Sequence, residues 1–294
     1  MDERVILKLH QRIKDRSHAY VSNSENTDQQ VESVLSMQRQ RGATIVRTLI
    51  EGDVLRSTQL DDQRIVDYVQ HEEFLIKLND EFYVEERECV RRATFLGETC
   101  QSDHPIGLEG DLSDKGEIAQ VEFSHEESGE NTQRSTYDRR KAVQYAERWW
   151  NDYNPQYEKF ENNCTNFISQ CLRAGGAEMR GFSNRSKGWW YNGRTWSYSW
   201  SVANAMRWYL SGAKSGLRGE ERARAELLEP GDVICYDFNG NGSWQHTTIV
   251  VAKDANGEPL VNAQTTNSRM RYWKYEDSTA WTPQIQYKFF HIKI

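Results

Sequence analysis

All ten tryptophans of this 294-residue chain lie at or after Trp149, and the first 148 residues contain none. The first half is also richer in charge and poorer in aromatics. Aromatic side chains dominate the cores they enter, so a step this sharp predicts two separately built units. The polar stretch over residues 124–135 has no apolar periodicity and reads as the joint. The expected division is an N-terminal domain over 1–123, a linker over 124–136 and a C-terminal domain over 137–294.

In the first half, Val5, Ile6, Leu9 and Ile13 fall on one helical stripe, and Val31, Val34, Leu35 and Met37 predict a second helix. After Gly42 the texture changes to β-leaning runs over 43–60, 64–78 and 82–96, with turn signals at Asp61-Asp62 and Asn79-Asp80. A shorter run covers 117–123. Helices followed by such a meander read as α+β, with a curled antiparallel sheet against one or two helices. His71, Cys89 and Cys100 stand isolated and read as packing or surface residues.

The second half alternates differently. Ala142, Tyr145, Ala146, Trp149 and Trp150 predict a helix within 137–153. A second helix opens at Asn163-Cys164 and stops before Gly175-Gly176. A third covers 200–210 through Val202, Ala205, Met206 and Tyr209. Strands are expected over 233–236, 246–251, 259–264, 269–275 and 285–294. Helices first and a small antiparallel sheet afterwards is the order of a papain-like catalytic core.

A net charge of −7 and a pI near 5.6, with no basic run, argue against a nucleic-acid partner. No apolar stretch reaches the length of a signal peptide or a membrane span, so no membrane association is expected. The chain reads as cytoplasmic as written, with export by another route or after leader removal left open. The five cysteines, Cys89, Cys100, Cys164, Cys171 and Cys235, form no CxxC pair. Neither a zinc site nor a disulfide framework is supported, and no cofactor is expected. Asp237-Phe238-Asn239-Gly240-Asn241-Gly242 imitates the opening of a calcium loop. Its twelfth position is Thr248 where a bidentate glutamate is needed, so a hairpin loop is expected and no metal.

The chemistry concentrates in two segments. Asn163 is a good N-cap, which puts Cys164 in the first turn of its helix. There the unpaired N–H groups and the helix dipole favour a thiolate, and the backbone N–H groups of Cys164 and Thr165 can hold an oxyanion. His246 opens the β-branched run Thr247-Thr248-Ile249-Val250-Val251 and is placed to reach a helix-borne sulfur as base. Its second ring nitrogen needs an acceptor. The next strand offers Asn262 and Gln264 on one face, and either amide would orient the ring. Cys171, two turns along the apolar stripe of Phe167 and Ile168, reads as core.

Several blocks in order carry a resemblance. They are Tyr137–Ala146, Asn163-Cys164-Thr165-Asn166-Phe167-Ile168-Ser169-Gln170, Gly175-Gly176, Trp189-Trp190-Tyr191, Ser197-Tyr198-Ser199-Trp200, Pro230-Gly231-Asp232 and the His246 strand. Over roughly residues 137–294 the chain resembles the putative amidase domain family of bacteria, a branch of the papain-like cysteine hydrolases. The resemblance implies a nucleophile at Cys164 and a base at His246. The family pattern often shows histidine where this chain has Gln264 and aspartate where it has Asn163. Related amidohydrolases and peptidases cleave amide bonds of peptidoglycan, which implies a peptide or peptidoglycan-fragment substrate.

The aromatic segment 189–200 has neither helical nor strand period. Most of its rings are expected to build the core, with one or two of Trp189, Trp190, Trp196 and the later Trp244 walling a substrate cleft. The leading reading is therefore a cysteine hydrolase of peptide-type amides. The alternative is an inactive papain-like module that binds peptide or glycan through an aromatic cleft. Oligomeric state is not legible in the sequence.

Overall fold

The computed structural model describes residues 3–22, 28–106, 136–182 and 184–294. The expected strand at 117–123 and the joint at 124–135 lie outside the described residues. Two helices open the chain, α1 (Glu3–Val21) and α2 (Gln29–Gln40). Asp28 caps α2 by accepting from the backbone of Gln30 and Val31, which satisfies two first-turn donors. Three long strands follow, β1 (Ala43–Leu60), β2 (Gln63–Leu78) and β3 (Glu81–Leu96), then the short β4 (Thr99–Pro105).

The hairpins obey their turn chemistry. Asp61 and Asn79 sit at φ of 49° and 54°, the left-handed region that two-residue hairpins require and that Asp and Asn tolerate. The register then runs from Leu60↔Gln63 and Leu78↔Glu81. Along β2 the buried side chains alternate from Tyr68 through Gln70, Glu72, Phe74 and Ile76 to Leu78. One face of the sheet therefore receives α1 and α2. Gln70 and Glu72 interrupt the apolar series because Arg16 of α1 reaches Gln70 Oε1 at 2.7 Å and ends in a buried ion pair with Asp103.

The second half contains α3 (Arg139–Trp149), α4 (Cys164–Ala174), α5 (Tyr198–Ser201), α6 (Ala203–Gly212) and strands β5 (Arg218–Arg222), β6 (Val233–Asp237), β7 (His246–Lys253), β8 (Pro259–Ala263), β9 (Ser268–Tyr272) and β10 (Gln286–Lys293). The single helix expected over 200–210 is broken at Val202, whose backbone is extended. The strand β5 is unforeseen because Arg218-Gly219-Glu220-Glu221-Arg222 has no apolar pattern. It pairs only at an edge, against β10.

All the described strands belong to one open antiparallel sheet in the order β1-β2-β3-β9-β8-β7-β6-β10-β5, with β4 attached to β3. The two halves thus share a sheet. β3 splits its edge, giving residues 91–96 to β4 and the pairs Glu86↔Arg269 and Arg87↔Ser268 to β9. Charged contacts reinforce this short seam. Arg269 bridges Glu86 and Glu147, Arg87 pairs with Asp277, and Arg41 pairs with Asp254 while lying 4.0 Å from the centre of the Tyr272 ring. The core of the second half lies between α3, α4, α6 and the sheet, and it contains Phe167, Ile168, Cys171, Trp189, Trp200, Val233 and Ile249. Among the described residues, no helix is long and apolar enough to cross a membrane.

His71 of β2 lies across from Glu86 and Glu88, with contacts of 3.3 and 3.5 Å. Its hydrogen bonds to Glu86 and then Glu88 raise its pKa from 6.5 to about 10. A raised folded value contributes stability that is full below pH 6.5 and is lost as pH rises through about 10. His71→Ala should therefore cost about 1 kcal/mol near neutral pH, a figure reduced by partial solvent exposure, and almost nothing in strong alkali. Urea unfolding at the two extremes measures this.

Candidate active site at the start of helix α4

The side chains of α4 are buried from Cys164 through Leu172, so the sheet, α3 and α5 fix the helix on every side. Its first turn is seated on the loop that follows β8. The backbone N–H groups of Asn163 and Cys164 both donate to Thr265 Oγ1, at 2.9 and 3.1 Å. Asn163 is not the side-chain cap that its identity suggests. Its Oδ1 accepts from Phe160 N and Asn166 Nδ2, and its Nδ2 donates to Gln264 Oε1. Threonine 265 holds φ at 95°, a left-handed backbone that costs a β-branched residue roughly 1–3 kcal/mol.

The structure brings Cys164 and His246 together, and both are almost wholly buried, at 3% and 4% exposure. Burial pushes the Cys164 thiol up, but the neighbouring His246, by charge and hydrogen bonding, and further hydrogen bonds from Thr165 and the Thr247 backbone outweigh it and bring the thiol to about 7. Thr165 Oγ1 lies 3.7 Å from the sulfur and exchanges a hydrogen bond with Thr247 Oγ1 at 3.2 Å. Burial without such partners drives the thiols of Cys171 and Cys235 upward. One cysteine of the buried three is therefore poised to ionise near neutrality.

Neither Asn262 of β8 nor Gln264 just after it hydrogen-bonds His246. The β7–β8 register pairs Ile249 with Asn262, so His246 lies beyond the paired stretch. Asn262 instead donates to Glu147 Oε1 at 2.8 Å and accepts from Met270 N at 2.9 Å. Gln264 donates to the carbonyls of Trp149 and Asp152 and accepts from Asn163. Asn163 and Gln264 thus meet as one neutral contact under the cysteine. The group against His246 is Tyr275, whose hydroxyl is 3.4 Å from Nε2. Nδ1 is buried and, with Nε2 facing Tyr275, is the nitrogen left to face the thiol that His246 lowers. The Tyr275 ring is itself held by the Arg271 guanidinium at 3.9 Å.

Of the expected oxyanion donors, the Cys164 N–H donates to Thr265 Oγ1, as does the N–H of Asn163 before it. Of the four tryptophans, Trp189 and Trp190 are fully buried, with their indoles bonded to Ser169 Oγ and to the carbonyls of Asn184 and Lys187. Trp244 is core as well, under Arg207. Those three rings fill the space between helices and sheet instead of walling a cleft. Trp196 is half-buried and packs 4.6 Å from Phe160, the residue whose N–H is bound by Asn163.

Asp237 accepts from Asn239 N and Gly242 N, closing the loop that imitates a calcium site. No group of three potential metal ligands converges among the described residues. Thr265 and Tyr275 escape sequence reasoning because a threonine in a polar loop and a tyrosine at a strand end carry no periodic signal.

Tyr275→Phe should release the His246 ring and move the pH midpoint of Cys164 alkylation above about 7, without large loss of stability. Gln264→Ala should act differently. It strands Asn163 Nδ2 in the interior and should cost about 1–3 kcal/mol in denaturant unfolding.

No solved structure matches the chain. A Bacillus subtilis (strain 168) protein, "Uncharacterized protein YhbB", is 51% identical over 237 residues, covering 79% of this chain and 75% of its own length. A second protein of that organism, "Uncharacterized protein YjcM", is 25% identical over 217 residues, covering 70% of this chain and 46% of its own length. Residues 136–290 match the family described as a putative amidase domain, more than half of the chain, and the chain belongs to that family.

Proposed function

We propose that the protein is a cysteine-dependent amidase with a papain-like catalytic unit over residues 137–294 and an accessory unit before it. The observation that carries the reading is a helix-opening thiol brought to about 7 beside a histidine, in a domain whose family is named for amidase activity. His246 Nδ1 takes the Cys164 proton and Sγ attacks the amide carbonyl carbon. The imidazolium then protonates the departing amine, and water resolves the thioester with His246 again as base. Tyr275 holds the ring through Nε2. A phenol stabilises an imidazolium less than a carboxylate does, so Tyr275 acts chiefly by orientation.

The substrate class is a peptide-type amide, including the peptide stems of peptidoglycan. Phe160 and Trp196, packed together beside the segment that leads into α4, are the aromatic surface available to line such a substrate. Iodoacetamide alkylation followed across pH by mass spectrometry tests the reading. Cys164 should react with a midpoint near 7, and Cys171 and Cys235 should stay inert. Cys164→Ser and His246→Ala should each lower hydrolysis of peptidoglycan-derived peptides by about 10³-fold or more. A Cys164 as inert as Cys171 would end the nucleophile reading.

A further inference from the structure

Tyr275 meets the ring of His246 from a strained backbone. Its φ is 58°, a left-handed angle that a bulky side chain keeps only where its surroundings enforce it. Two polar contacts from β9 fix its side chain. The Arg271 guanidinium lies 3.9 Å from the ring centre, and Ser268 Oγ lies 3.3 Å from the hydroxyl. Both of these residues are engaged by Arg87, which belongs to β3 in the first half. Arg271 donates to Asp277 Oδ1 at 3.0 Å, and Arg87 pairs with the other oxygen of that carboxylate. Ser268 stands opposite Arg87 where β3 pairs with β9.

Every member of this set is buried, and Glu85, buried as well, closes it on the far side of Arg87. A buried carboxylate between two guanidinium groups cannot shift without leaving charge unpaired. The position of Arg87 therefore sets that of Asp277, then of Arg271, then of the Tyr275 ring. Arg271, Asp277, Arg87 and Glu85 are the charged groups of the set. Tyr236 of β6 also packs here, its ring centre 5.6 Å from that of His246 and 5.0 Å from that of Tyr275. It stays neutral, because burial raises its hydroxyl well above the usual range.

We propose that Arg87 is a positioning residue of the hydrolytic centre, holding the Tyr275 hydroxyl against His246 Nε2 through Asp277 and Arg271. This rests on the reading of Cys164 as nucleophile and His246 as its base. Residues 137–294 are then not a complete catalytic unit, because β3 supplies the clamp on the group that orients the base. A second buried pair across the same seam, Arg41 with Asp254, stacks on Tyr272 rather than on Tyr275 and provides a control.

Arg87→Gln and Asp277→Asn in the full chain test this against Arg41→Gln. The readout is the pH profile of Cys164 alkylation by iodoacetamide. Cys171 and Cys235, both buried, report through their inertness that each variant is folded. Acting through charge alone, the first two substitutions would move the Cys164 midpoint in opposite directions. Loss of a cation disfavours the thiolate, and loss of an anion favours it. Acting through Tyr275, both raise it from near 7 to about 8, which slows alkylation at pH 7 about fivefold. The double variant should shift no further than either single one. Arg41→Gln should lower stability in urea and leave the midpoint in place. Arg87→Lys, which keeps the cation but loses the planar fork, should also raise the midpoint and serves if Arg87→Gln does not fold. Opposite shifts, an unmoved midpoint in the folded variants or an equal shift in Arg41→Gln would overturn the proposal. A parent protein with no midpoint near 7 would instead remove the nucleophile reading, and this one with it.

Discussion

The seat beneath the first turn of α4 is the contact on which the site depends. A helix start leaves backbone donors unpaired, and where it is buried each must find an acceptor. The chain supplies them from one loop. Gln264 holds the Asn163 side chain, and Thr265 takes the N–H groups of Asn163 and Cys164. Gln264 is anchored in turn on the last carbonyls around the end of α3. The position of the sulfur is therefore set jointly by α3, α4 and the β8–β9 loop. Its depressed pKa follows from that position, because only there does His246 outweigh the burial that drives Cys171 and Cys235 the other way.

The first half contributes through charge more than through apolar packing at the seam. Its own cores lie between α1, α2 and the β1–β3 meander. Against the second half it offers the short β3–β9 pairing and the ion pairs of Arg41, Glu86 and Arg87. Arg87 is 6% exposed and shares Asp277 with Arg271, the residue that stacks on Tyr275. Buried pairs of this kind gain little net stability but penalise any arrangement that separates them. Asn262, read from sequence as a partner for His246, turns out to belong to this brace through Glu147 and Arg269.

Legibility follows the range of the interactions. The hairpins of the first half are readable to within a residue because Asp61-Asp62 and Asn79-Asp80 carry local turn chemistry and β2 alternates with period two. The helix that opens at Cys164 and the strand that opens at His246 are readable for the same kind of reason. The Trp189-Trp190 pair defeats a local reading, since a large ring suits a core and a cleft equally well by sequence. Packing density around Ser169 and Trp200 puts both rings inside.

By itself the sequence determines most of the helices and strands, the place of Cys164 at a helix start and of His246 at a strand start, and that aromatic mass lies in the second half. Those properties depend on neighbours a few residues apart. Tertiary structure alone decides that both halves share one sheet, that Tyr275 rather than an amide of β8 meets His246, and that Thr265 fills the donors beside the sulfur. Each of these joins residues far apart in the chain. Their meeting is fixed by strand register, by a backbone angle at one threonine and by where buried polar groups find partners, none of which leaves a periodic mark on the sequence.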